Sequence, residues 1–115
     1  MKKICVVGLG YIGLPTACYL AKAGYKVIGV DINEKIIQTL KEGKASFEET
    51  GLQTLFDKGF KNFEFSLTPK PAGIFIISVP TPITKAKKPN LIFIKRATKS
   101  IEKVINDNNL VIVES

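Results

Sequence analysis

The segment Gly8-Leu9-Gly10-Tyr11-Ile12-Gly13 spaces three glycines as G-x-G-x-x-G, directly after the apolar run Ile4-Cys5-Val6-Val7. Each glycine has its own task in such a turn. Gly8 lets the chain leave a strand sharply, Gly10 leaves the backbone bare for a pyrophosphate to approach, and Gly13 lets the following helix lie close to the sheet. The N–H groups around Tyr11 and Ile12, at the start of that helix, then offer an anion the positive end of the helix dipole. Asp31 stands 21 residues after Gly10, at the end of a second apolar run. A carboxylate there accepts hydrogen bonds from adenosine ribose hydroxyls and repels a 2′-phosphate, so the pattern reads as a site for NAD in preference to NADP. FAD uses the same pattern and stays open. S-adenosylmethionine fits less well, because it has no pyrophosphate for Gly10 to admit.

A second candidate stretch is Val79-Pro80-Thr81-Pro82, which follows the most hydrophobic run of the chain. Open α/β sheets bind ligands just beyond the carboxyl ends of their strands, and Thr81 offers a hydroxyl there between two stiffening prolines. The cofactor-binding candidates are therefore Gly8, Gly10, Tyr11, Ile12, Gly13, Asp31, Val79, Pro80 and Thr81. The plainer readings are that the glycines only pack a strand against a helix, that Asp31 caps a turn, and that the prolines punctuate a loop.

Composition narrows the chemistry further. The chain has no histidine and only two cysteines, Cys5 and Cys18, both inside apolar stretches. That argues against a zinc site, a disulfide framework or a Ser–His–Asp triad, and it removes the commonest general acid–base. No catalytic residue and no metal ligand is assigned. The net charge is +7, and residues 58–103 hold ten basic side chains against Glu64 and Glu102. Such a face favours anionic partners, but no aromatic platform or recognition motif accompanies it, so nucleic-acid binding is not the expectation. Met1-Lys2-Lys3 and the apolar run behind it have the outline of a signal peptide. The glycine spacing and the continuation of the fold pattern speak against one. No run approaches the roughly 20 apolar residues of a membrane span. A soluble, cytoplasmic protein is expected.

The elements that position these residues follow from periodicity. Residues 4–8 form a buried strand, 11–23 a helix with Pro15 in its first turn, and 26–31 a second strand. Asn33 caps a second helix that stops near Gly43, and a short helix ends at Gly59. Residues 63–67 make a short strand, and 73–79 the most hydrophobic one, which is expected to be central. Asn90 caps a last helix whose apolar side is Leu91, Ile94, Ala97, Ile101, Val104 and Ile105. Residues 110–113 form another buried strand. This alternation implies an α/β fold, a Rossmann-type doubly wound parallel sheet in three α/β/α layers. The stop just after a strand implies a truncated sheet.

In the order Gly8-Leu9-Gly10-Tyr11-Ile12-Gly13-Leu14-Pro15, Val30-Asp31-Ile32-Asn33, Val79-Pro80-Thr81-Pro82 and Glu114-Ser115, the whole chain resembles the UDP-glucose/GDP-mannose dehydrogenase family. The run 79–89 looks most similar to the UDP-N-acetylhexosamine 6-dehydrogenases (UDP-GlcNAc/ManNAc) of polysaccharide biosynthesis. The resemblance implies that residues 1–115 are the NAD-binding Rossmann domain of a longer oxidoreductase, without its central helix and substrate domain. That enzyme would oxidise C6 of a UDP-sugar twice, from alcohol to the uronate, with two NAD. It also implies a homodimer or larger assembly and a nucleophilic cysteine beyond residue 115, matched by neither Cys5 nor Cys18. Ser115 matches the residue before a threonine of the family. Members of the family often carry Arg or Lys five residues after the ribose acid; here that place is Ile36, with Lys35 beside it. The family's Glu-Pro-Gly-Leu reads Glu49-Thr50-Gly51-Leu52, and the stretch 68–73 is short, so the adenine pocket wall is expected to be altered or incomplete. The piece alone is expected to bind cofactor and not to turn over substrate. The alternative from another class is a non-catalytic dinucleotide-sensing Rossmann module.

Overall fold

The apolar run behind the N-terminal lysines becomes β1 (Lys3–Val7) of a computed structural model that describes residues 2–114. It is followed by α1 (Gly13–Lys22), β2 (Lys26–Val30), α2 (Glu34–Lys41) and α3 (Leu52–Gly59). A 3₁₀ turn (Phe60–Asn62) leads into β3 (Phe63–Ser66), β4 (Ile74–Ile77), α4 (Ile92–Ile101) and β5 (Leu110–Val113). The five strands form one parallel sheet in the order β3-β2-β1-β4-β5. The chain builds outward from β1 through β2 and β3, then returns across β1 and builds the other way. The reversal lies between β1 and β4, the place where such sheets leave a crevice. Val7 is in register with Val30 on one side and Ile77 on the other. The exits of β1, β2 and β4 are therefore level, and Gly8, Asp31 and Ser78 leave the sheet side by side.

Alternation along the strands divides the core. Ile4, Val6, Val27, Phe65 and Ile76 face α1, α2 and α3, where Leu14, Ala17, Leu40 and Phe56 are fully buried. Phe56 also meets Phe60, Phe63 and Phe65 at aromatic centroid distances of 5.4, 5.5 and 6.0 Å. The opposite face, with Cys5, Val7, Ile28, Val30, Phe75 and Ile77, is covered among the described residues by Ala97 and Ile101 of α4, by Val104 and Ile105 just after it, and by Ala72 and Val79. Three helices thus sit on one face and one on the other.

Local chemistry sets the element ends. The Asn33 side chain accepts from the N–H groups of Lys35 (2.9 Å) and Ile36 (3.3 Å) and so caps α2 as expected. Gly24, at φ +105°, ends the α1 segment in the left-handed region that favours glycine. Among the described residues no side chain caps α1. Among the described residues no helix is long and apolar enough to cross a membrane.

Several expectations need correction. The most hydrophobic strand, β4, is interior but not central; β1 holds the middle, because hydrophobicity marks a strand flanked on both sides and does not mark the midpoint. Strand β5 is not buried: its four residues are 38–54% exposed, and its only strand neighbour among the described residues is β4. The helix expected over 11–23 starts at Gly13, since Gly10 to Ile12 remain in the turn. Helix α4 starts after Leu91, which is 46% exposed and does not join the apolar side; the Asn90 side chain accepts from the Ile92 N–H at 3.1 Å. The helix ends at Ile101, and Val104 and Ile105 pack on the core from the turn beyond it.

A Cβ added at Gly13 would lie 1.8 Å from the Gly8 carbonyl oxygen, whereas one added at Gly10 meets nothing within 4 Å. Gly13→Ala is expected to lower stability by about 3 kcal/mol or more, because backbone has to move. Gly10→Ala should melt at or slightly above the wild-type temperature, as the unfolded chain loses freedom. Thermal and urea unfolding of the two variants measures the contrast; equal losses in both would refute the packing described.

Candidate functional site

A cleft of about 760 Å³ opens at the carboxyl ends of the strands. Every candidate named from the sequence except Gly13 borders it: Gly8, Gly10, Tyr11, Ile12, Asp31, Val79, Pro80 and Thr81. Gly13 is buried one step behind, jammed between the Gly8 carbonyl and the Ser78 side chain.

The turn itself is built by three close approaches. Gly8 has φ +102°, and its N–H donates to the Val30 carbonyl at 2.8 Å. A Cβ on Gly8 would come within 2.4 Å of the Ser78 carbonyl oxygen, so β4 fits against the turn only because that side chain is missing. The Ser78 N–H, in turn, donates to the Val7 carbonyl at 2.8 Å. The first hydrogen bonds into α1 come from Leu14 to Gly10 (3.0 Å) and from Thr16 to Ile12 (3.2 Å). The N–H groups ahead of Leu14 have no partner inside the helix and no capping side chain, which leaves them for a ligand. Tyr11 is 78% exposed, and its ring rests on Phe47 at a centroid distance of 4.6 Å.

Asp31 is half-buried at the exit of β2. Its Oδ2 accepts from the Leu9 N–H (3.0 Å) and its Oδ1 from the Asn33 N–H (2.9 Å). The carboxylate therefore fastens the glycine turn and the approach to α2 while keeping lone pairs for further donors. Ile36 borders the cleft and Lys35 does not. Leu67, Thr68 and Pro69 after β3 also border the cleft.

Three features were missed in the sequence, and a fourth was read only as part of a motif. Ser78 carries the contacts with Gly8 and Gly13, and nothing in a lone serine before Val79 signals that. Phe47, under Tyr11, falls in the irregular stretch between α2 and α3. Arg96 and Phe93 of α4 also border the cleft; neither is among the positions expected on the apolar side of the helix. The carboxylate of Glu114 borders the cleft as well; its Oε2 accepts from the Thr16 hydroxyl at 3.3 Å, and its Oε1 is buried without a partner among the described residues. The final residue, Ser115, lies outside the described residues.

The two cysteines sit in the core. Burial pushes the Cys5 thiol up to about 11 and the Cys18 thiol up to about 12. Both are protonated at neutral pH and poor nucleophiles. Among the described residues no three of His, Cys, Asp and Glu cluster as metal ligands.

A glycine turn, an uncapped helix start and an acid at the next strand exit share one crevice at the reversal of strand order, and together they define a dinucleotide-binding domain of the Rossmann type. The chain belongs to the UDP-glucose/GDP-mannose dehydrogenase family, whose NAD binding domain matches residues 2–115. It is 46% identical to the UDP-N-acetyl-D-mannosamine dehydrogenase of Methanococcus maripaludis, over all of this chain and 28% of that protein. It is 47% identical to the enzyme of the same name from Campylobacter jejuni, over 98% of this chain and 28% of the relative. The solved UDP-N-acetyl-mannosamine dehydrogenase of Staphylococcus aureus superposes with a TM-score of 0.95 at 42% identity, covering 98% of this chain and 28% of that one. The chain thus spans a little over a quarter of the length of these relatives, and its cofactor is NAD.

Two measurements follow. Asp31→Ala leaves two N–H groups without an acceptor, so it should cost about 1–3 kcal/mol of folding stability and, separately, about 1.5–3 kcal/mol of NAD binding. Denaturant unfolding and titration calorimetry read the two losses; unchanged affinity would remove Asp31 from the site. Deprotonation of either thiol is easier in the unfolded chain, at an ordinary 9.0, than in the fold. Their contribution to stability is therefore full below about pH 9 and is lost as the pH rises toward 11 and 12. Alkylation should accordingly be slow in the native chain at pH 8 and complete in denaturant.

Proposed function

We propose that residues 1–115 are the NAD-binding Rossmann domain of a longer nucleotide-sugar 6-dehydrogenase. That enzyme oxidises the C6 alcohol of a UDP-N-acetylhexosamine to the uronate while two NAD are reduced. The observation that carries the reading is the bare space above Gly10 beside the uncapped start of α1, with the Asp31 carboxylate on the same cleft. This donor set fits the groups of NAD in order. The N–H groups from Gly10 to Ile12 meet the pyrophosphate, and Asp31 accepts from the adenosine ribose. Gly8 and Gly13 hold the turn in shape from behind. Val79, Pro80 and Thr81 border the path toward the nicotinamide, with Thr81 as a hydroxyl donor at the β4 exit.

When bound, NAD supplies the hydride acceptor. The chain's own residues orient it and exclude water from one side, and none of them serves as nucleophile or base. The groups that act on the sugar are assigned to the remainder of the longer protein, as are the contacts of a homodimer or larger assembly. The UDP-N-acetyl-D-mannosamine substrate of the relatives supports the sugar class, and the absence of a membrane-spanning helix among the described residues is compatible with a cytoplasmic setting.

Calorimetric titration of the chain with NAD and NADP tests the cofactor part. Saturable NAD uptake with NADP at least about tenfold weaker is expected, since a 2′-phosphate would meet the Asp31 carboxylate. Equal affinity for both would contradict the ribose assignment. Dehydrogenase turnover of a UDP-sugar by the 115-residue chain alone would contradict the division of labour.

A further inference from the structure

We propose that Arg96 is the adenine-binding residue of the cofactor cleft, laying its planar guanidinium on the face of the base. The proposal rests on the NAD site described above and extends it to a residue outside the glycine turn and the strand exits.

Among the described residues the cleft has three charged side chains on its lining, Asp31, Glu114 and Arg96, and Arg96 is the one cation among them. It makes no ion pair or side-chain hydrogen bond with the described residues, and it is exposed. Its place on α4 decides which part of the ligand it meets. The pyrophosphate belongs to the turn at the β1 exit, and the ribose to Asp31 at the β2 exit. The base must then project beyond Asp31, away from β1, over Ile32 and toward the β3 exit. There the lining includes Ile32, 82% exposed, and Leu67, 41% exposed, two aliphatic side chains beside Thr68 and Pro69. On the remaining side is α4, whose Phe93, Arg96, Ala97 and Ser100 recur at helical spacing along the cleft. Ala97 is small and buried, so the wall is recessed next to Arg96.

A flat aromatic ring fits this space from both directions. Ile32 and Leu67 bury one side of it, and a guanidinium covers a π-face in a way that a lysine ammonium does not reproduce. Position 36, at the ribose end of the same lining, is isoleucine, so no cation approaches the adenosine from α2. The cation comes from the opposite helix.

The experiment compares the wild-type chain with Arg96→Ala and Arg96→Lys in titrations with NAD and with adenosine, which has no phosphate. Thermal melts should coincide, because the side chain is exposed. Arg96→Ala is expected to weaken NAD by about 3- to 30-fold and adenosine by the same factor, and Arg96→Lys should recover little of either. Loss of NAD affinity with adenosine unaffected, or full recovery in the lysine variant, would place the guanidinium on the pyrophosphate and overturn the proposal. So would an Arg96→Ala chain that binds NAD as the wild type does. A wild-type chain that takes up no NAD would instead defeat the site assignment itself, and this proposal with it.

Discussion

The contact on which the rest of the structure depends is the meeting of Gly13, the Gly8 carbonyl and Ser78. At this point the end of β1, the start of α1 and the end of β4 come closer than any pair of side chains allows. A single methyl group would collide at either glycine. The approach keeps the three backbones at one level, and the cleft exists because they are level. The register of Val7 with Val30 and Ile77 extends the same alignment to the exit of β2. Close packing of this kind leaves little tolerance in the interior and a bare backbone at the surface, which suits an anion that binds to N–H groups.

The second organising fact is the unequal cover of the sheet. Helices α1, α2 and α3 bury one face, with Phe56 at their centre, and α4 alone stands on the other. The cleft reaches α4 on that side, and Ile32 and Leu67 of its lining stay exposed. Exposed aliphatic side chains of this size beside a crevice are more informative than scattered surface ones, because they form a surface that a ligand can cover.

Much of this was legible in the sequence because the motifs encode backbone constraints. The glycine spacing, the acid after β2 and the Asn33 cap each correspond to one local geometry, and each is found there. The parallel alternation was legible too, since continuous apolar runs such as Ile74-Phe75-Ile76-Ile77 suit strands covered on both faces. What failed depended on neighbours. The sequence of β5 reads like that of an interior strand, yet exposure is decided by which elements lie beside it. Leu91 keeps helical spacing with Ile94 but precedes the first helical turn. Arg96 has the composition of a solvated surface position, and only the placement of α4 along the cleft puts it there. Glu114 and Thr16 are 98 residues apart, a pairing that no local pattern announces.

The double attachment of Asp31 has a consequence for how this site can evolve. Its carboxylate accepts from Leu9 in the glycine turn and from Asn33 at the head of α2. The same group to which the ribose is assigned under the proposed function therefore also ties two loops together. Exchanging it for a small or basic residue, the usual route to a phosphorylated cofactor, would unfasten the turn at the moment the selectivity changed. A lineage could take that route only after another acceptor had come within reach of the Leu9 N–H. On the proposed ribose role, cofactor choice is coupled to the packing of the turn, and position 31 answers to both.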